Sequence, residues 1–210
     1  MSIITMATTK GGAGKTTVAQ MIIGAVGHQG FSVGVVDCDP NGTLSNWLGE
    51  CSNLDLDYKH VADDTQIVAQ ARKLEAKNDL VVIDTAGFHS QATIFAVGAA
   101  DLVLIPCQLS NGDVIEAVKT SRVVQSAAEM ANREIPARVI YTDYTPKTNI
   151  AKQVRQKIKK SGLTALDTRL HHLVAFKELT FNGKVPKKGT AGAQGQLLVQ
   201  ELAEKGYLPF

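Results

Sequence analysis

Thr8-Thr9-Lys10-Gly11-Gly12-Ala13-Gly14-Lys15-Thr16-Thr17 follows the apolar run Ile3-Ile4-Thr5-Met6-Ala7. After it, Val18, Met21, Ile22, Ala25 and Val26 recur at helical spacing. Strand, glycine loop and helix in that order are what a phosphate-binding loop requires. Glycines let the chain turn tightly and aim several N–H groups inward, and the helix start adds partial positive charge at the same point. Gly11, Gly12, Ala13, Gly14, Lys15, Thr16 and Thr17 are therefore the expected nucleotide-contacting residues. Lys15 is suited to the β- and γ-phosphates, and the Thr16 hydroxyl to Mg²⁺.

Working outward, 32–37, 80–84, 102–106 and 137–142 read as strands, the first three as nearly continuous apolar runs covered on both faces. Helical patterns lie between them: a short helix entered from the loop at 41–47, then 63–77 with Asp63 or Asp64 as cap, 91–100, 113–130 and 149–160. The segments 54–61 and 164–168 are candidate extra strands, and helices near 173–181 and 191–205 close the pattern. This alternation predicts an α/β fold, a mostly parallel twisted sheet with helices on both faces, as one domain over 1–210.

Two further carboxylate sites belong to strand ends. Leu80-Val81-Val82-Ile83-Asp84 carries one acid to the sheet's rim, where Mg²⁺ would be held through water. Gly87, three residues on, would let the backbone approach the γ-phosphate. Asp37-Cys38-Asp39-Pro40 ends the second strand. Its two acids are expected to do different jobs. Taken alone, they are equally compatible with turn carboxylates.

The formal net charge is only +2, but it is unevenly spread. Residues 37–84 hold ten acids against four bases, a local net of −6. Residues 119–188 hold fifteen bases against five acids, a local net of +10. Lys152, Arg155 and Lys159 fall on one helical face, with Arg169 and Lys184 following. Such a patch suits counterion release from DNA without base readout, and a solvated helix face is the alternative. The three cysteines have no metal-ligand spacing and point to a reducing, cytoplasmic setting. His28, His60, His89, His171 and His172 form no ligand-spaced set and read as structural or surface residues.

The Lys10-Gly11-Gly12-Ala13-Gly14-Lys15-Thr16 form, with Thr9 at the usual first-glycine position, resembles the deviant Walker A motif of the ParA/MinD family of P-loop ATPases. Asp37–Pro40, Asp84–Gly87 and the run from Arg169 through Lys177 to Lys184 resemble that family too. Thr85-Ala86-Gly87 departs from the Cys-Pro-Pro of chromosomal ParA proteins, which leaves the hydrolysing group open. The resemblance implies an ATP- and Mg²⁺-dependent homodimer in which Lys10 reaches the partner's nucleotide. It implies that Asp39 orients the attacking water and that Asp37 supports the Mg²⁺ side. Tyr141 and Thr142 fall where the family contacts adenine, with plain strand packing as the alternative.

It further implies non-specific DNA binding on the nucleoid and a ParB-like partner that stimulates turnover, in plasmid or chromosome partition. A cargo-positioning or DNA-transfer adaptor ATPase is the alternative. A dethiobiotin-synthetase-like ligase is a more distant one, since no second polar constellation marks a substrate pocket. A membrane-binding C-terminal helix is not expected, because the last residues are few and include Pro209.

Overall fold

The computed structural model describes residues 2–50, 54, 56–87, 91–182 and 185–210. A seven-stranded, all-parallel sheet runs in the order β3-β2-β4-β1-β5-β6-β7. Its strands are β1 (Ser2–Met6), β2 (Val33–Asp37), β3 (Leu56–His60), β4 (Leu80–Asp84), β5 (Leu102–Cys107), β6 (Ala137–Tyr144) and β7 (Ala165–His171). The helices are α1 (Lys15–Gly27), α2 (Thr43–Glu50), α3 (Ile67–Glu75), α4 (Gln91–Ala99), α5 (Asn111–Ala131), α6 (Asn149–Lys160), α7 (Val174–Asn182) and α8 (Gly189–Glu204). The expected strands and helices form close to their expected bounds. The 63–77 segment opens as a 3₁₀ turn at Asp64–Gln66, capped by the Asp63 side chain on the Thr65 N–H.

The central strands are buried along their whole length because helices cover both faces. Strand parity sorts their side chains. Ile4, Met6, Leu80 and Val82 face α1 and α8, while Ile3, Val81 and Ile83 face α3 and α4. Val103, Ile105, Val139 and Tyr141 face α5 and α6.

The two sheet edges differ. At β7, the Glu201 carboxylate on α8 accepts from the Asp167 and Thr168 N–H groups at 2.8 and 2.7 Å. The Gln194 carbonyl oxygen accepts from the His171 N–H at 2.8 Å. These side chains occupy donors that would otherwise template another strand. β3, the other edge, is mostly exposed and carries Asp57 and Lys59. No helix among the described residues is long and apolar enough to cross a membrane.

Candidate nucleotide site

β1 lies between β4 and β5, so the loop leaving it opens at the centre of the sheet's carboxyl edge, where α/β folds hold their ligands. Two residues in this loop need glycine: Gly12 has φ 74° and Gly14 has φ 97°. Gly14 caps α1 in that left-handed conformation. Neighbouring strands pin the loop's carbonyls. Thr142 Oγ1 donates to the Ala13 oxygen at 2.7 Å, and Gln108 Nε2 donates to the Gly12 oxygen at 3.0 Å. A Cβ on Gly14 would sit 3.2 Å from the Thr142 methyl group. With its carbonyls tied, the loop and the first turn of α1 offer N–H donors to an anion.

The cation side is built from α1 and β4. Thr16 Oγ1 donates to Asp84 Oδ2 at 2.7 Å. Asp84 is 1% exposed, and its Oδ1 has no partner among the described residues. Burial pushes its carboxyl up to about 7, against the Thr16 hydrogen bond and with the Asp37 charge adding to the rise. Lys15 is also buried, and desolvation holds its ammonium below the usual lysine range while Asp84 and Asp39 pull the other way. A hydroxyl, an orphaned carboxylate oxygen and an under-compensated ammonium in one pocket fit a Mg²⁺–phosphate group. Hard oxygen ligands suit that cation, and a triphosphate would neutralise the lysine.

Asp37 pairs in register with Asp84 and is fully buried. Its Oδ2 accepts from the Ser45 N–H at 2.7 Å and its Oδ1 from the Asp39 N–H at 3.1 Å. It therefore holds the first turn of α2 and shapes the loop that presents Asp39. Asp39 Oδ1 accepts from Asn41 N and Nδ2 at 2.9 and 3.0 Å, which makes a tight turn of 39–41. Gly87 crosses the phosphate loop closely: a Cβ there would lie 3.0 Å from Gly11 N and Cα.

Lys10 stays within its own chain. Its Nζ lies 2.8 Å from Oδ2 of Asp113, whose side chain is fully buried in the first turn of α5. The same oxygen accepts from the Ser110 hydroxyl, and the Ser110 oxygen caps the Asp113 N–H. One turn further along α5, Glu116 accepts from the Thr9 hydroxyl. The start of α5 thus grips the start of the phosphate loop, an arrangement that local sequence does not signal.

Beside the loop lies a cavity of about 240 Å³. Thr17, Gln108, Thr142, Asp143, His172 and Phe176 contribute to its wall, as does His171. Asp143 takes a left-handed backbone (φ 51°) and pairs with His172 Nδ1. Thr142 is therefore at the cavity, but Tyr141 is not. Its ring is buried with the α5–α6 core, 5.8 Å from the Tyr144 ring. Neighbouring strand residues face opposite sides, so the two cannot line one pocket. Sequence reasoning read His171 and His172 as structural or surface residues. They reach the cavity because β7 ends beside β6, which is a non-local fact.

The basic residues divide by layer. Ala151, Val154 and Ile158 bury one side of α6, leaving Lys152, Arg155 and Lys159 exposed on the α5–α6 layer. Lys187, ahead of α8, lines a cavity with Met21 and Ala25 of α1 and so belongs to the opposite layer. Arg169 is half-buried, with its guanidinium 5.0 Å from the Tyr144 ring centre. It is held as a stacking group in β7, not displayed with the α6 lysines. Lys184 lies outside the described residues, as do Gly183 and His89.

The protein-family model described as VirC1 protein matches residues 1–190. This chain belongs to the VirC1 family. The VirC1-family chain is 26% identical over 183 residues to Protein ParA of Rhizobium radiobacter, covering 85% of this chain and 82% of that protein. It is 25% identical over 184 residues to Maintenance of carboxysome distribution protein A of Halothiobacillus neapolitanus, covering 86% and 84%. Its fold matches the cell division ATPase MinD of Pyrococcus furiosus with a TM-score of 0.80, covering 97% and 99% at 18% identity. This VirC1-family protein thus shares the fold of the ParA/MinD-type P-loop ATPases, and the resemblance carried by its phosphate loop holds across the fold.

Proposed function

We propose that this chain is a Mg²⁺-ATP-dependent ATPase that dimerises around its nucleotides and binds DNA non-specifically in that state, serving plasmid or chromosome partition. The observation that carries the reading is the Thr16–Asp84 pair beneath the glycine loop, with a buried Asp84 oxygen that has no described partner. Bound Mg²⁺ would neutralise charge building on the β- and γ-phosphate oxygens. Thr16 and Asp84 are the residues that would hold it, Asp84 through water. Lys15 would bind the phosphates, and the loop amides from Gly11 to Thr17 would orient them. Asp39 would position the attacking water, with Asp37 fixing the turn that carries it.

Lys10 would leave Asp113 to complete the partner's site. Gly87 would sense the γ-phosphate by its close approach to Gly11. The adenine would enter the cavity between Thr142 and Phe176. No Asn-Lys-x-Asp motif is present to select guanine, so ATP is favoured. The α6 face would meet DNA phosphates. Turnover alone would be slow without an arginine finger, and a ParB-like partner would accelerate it.

The test is co-sedimentation with random-sequence DNA, with ATP, ADP or no nucleotide, across a salt series, together with phosphate release. ATP-dependent, salt-sensitive binding is expected. Binding indifferent to nucleotide would overturn the reading. A cargo-positioning role is the second reading, favoured by the relative named for carboxysome distribution. It keeps the nucleotide site and replaces the partition partner with a protein assembly. A pull-down with the protein encoded beside this gene separates the two, since a small centromere-binding protein favours partition.

A further inference from the structure

Side chains of α8 occupy N–H groups along β7, and no side chain among the described residues does the same for β3. β3 pairs with β2 in parallel register, and just beyond it the Val61 N–H donates to the Asp37 oxygen at 2.9 Å. Backbone groups alternate in direction along a strand, so Lys59 and Asp57 also turn theirs towards β2. The N–H and C=O of Tyr58, between them, therefore point out of the sheet, where one more strand could pair. The strand is anchored on one face. His60 Nε2 lies 2.9 Å from the Asp39 main-chain oxygen, and a Cβ on Gly49 of α2 would sit 3.6 Å from the Tyr58 hydroxyl. Asp57 and Lys59 share the other face, both exposed, and neither has an ion-pair partner among the described residues.

Charges on an open edge commonly serve to keep foreign strands away. Here their order admits one partner. Two copies of β3 placed antiparallel about Tyr58 would exchange N–H to C=O bonds between the two Tyr58 residues. Asp57 of each copy would then stand opposite Lys59 of the other, in the close pairs where side chains meet. A slip of two residues sets Asp57 against Asp57 or Lys59 against Lys59, which like charge disfavours. The charge pattern thus selects both the occupant and its register.

We infer that the β3 edge is an interaction surface for a second copy of this chain, paired antiparallel about Tyr58 and held by two Asp57–Lys59 ion pairs. Few residues meet on each side, so the contact is weak and reversible. It lies at the sheet's lateral edge, three strands from β1 and its phosphate loop, and leaves the nucleotide site free. By itself a two-fold contact closes at two chains. Combined with the dimer proposed to form around ATP, which uses a different face, it would join dimers into an open chain. That consequence rests on the proposed ATPase reading; the β3 contact itself does not.

The experiment is sedimentation equilibrium of the full chain, without nucleotide and at low salt, over a concentration series reaching the millimolar range. Wild type is expected to pass from monomer to dimer as concentration rises. Asp57→Lys and Lys59→Asp each oppose like charges and should weaken association at least tenfold. The double variant Asp57→Lys/Lys59→Asp exchanges the two charges and should return to within about threefold of wild type. Circular dichroism confirms the fold of each, and both positions are exposed. A wild type that stays monomeric throughout would overturn the inference. Single variants that associate like wild type, or a double variant that fails to recover, would overturn it too. ATP binding is measured separately by calorimetry. Its loss with the charge-dependent association intact would sink the ATPase reading and not this one.

Discussion

Replacing Asp113 with Asn should strengthen ATP-dependent self-association. In the chain as folded, Lys10 neutralises a fully buried carboxylate at 2.8 Å. If Lys10 serves the partner's nucleotide, that carboxylate is left unpaired in each protomer of the dimer. Stranding a buried charge in this way costs about 3–5 kcal/mol when both partners are enclosed. Lys10 is 39% exposed, so solvent screens the pair and a cost of about 1 kcal/mol per protomer is the defensible figure. Two protomers make about 2 kcal/mol, or about 30-fold in the dimer association constant.

Asparagine keeps the shape, and its carbonyl can still accept from Ser110, but it removes the charge that retains Lys10. Sedimentation velocity with ATP and Mg²⁺ over a concentration series reads the constant directly. A 10- to 100-fold tighter dimer is expected, with an unchanged monomer in the absence of nucleotide. An unchanged or weaker dimer, from protein with a normal thermal transition, would refute the argument that Lys10 must be released.

Asp84→Asn should stabilise the nucleotide-free protein at high pH. Burial raises the Asp84 carboxyl from 3.8 to about 7, so the folded chain retains a proton that the unfolded chain releases. Its contribution is complete below about pH 4 and is lost as pH rises towards 7. Thermal scans should show the variant gaining Tm over wild type at pH 8 and little at pH 4, and a lower Tm at pH 8 would contradict this. Gly87→Ala should disturb the phosphate loop, because the new methyl group meets Gly11 backbone at 3.0 Å. An overpacking cost of about 1–3 kcal/mol is expected as weakened ATP affinity by calorimetry, and wild-type affinity would show that the two loops separate freely. Removing the charges of Lys152, Arg155 and Lys159 together should reduce the slope of log affinity for DNA against log salt by about 2–3. An unchanged slope would move the DNA surface off α6.

The phosphate loop, Asp84 and the strand order's raw material were legible because each is local. A buried parallel strand is a short apolar run, and a strand–glycine–helix junction is written in consecutive residues. What escaped was set by distance along the chain. Asp113 meets Lys10 across 103 residues, and only the placement of α5 beside β5 brings them together. His171 and His172 reach the nucleotide cavity because β7 pairs with β6. Arg169 counted as one more positive charge in the sequence, yet its strand position turns it onto Tyr144. Tyr141 is a different case. Its alternation with Ile140 and Thr142 was available, and strand parity alone assigns it to the core while Thr142 faces the loop. The charge count of 119–188 likewise held one number for two surfaces, which the sheet separates.

ATP-driven dimerisation of this chain requires the loop from Gly11 to Thr17 to grip a triphosphate and Lys10 to complete the pocket of a second protomer. A crystal structure with a non-hydrolysable ATP analogue and Mg²⁺ tests it most directly. The expected result is phosphates on the loop amides, the cation beside Thr16 and Asp84, and Lys10 of each protomer against the partner's phosphates. Phosphates bound elsewhere, or Lys10 still on Asp113 in every assembly, would contradict it.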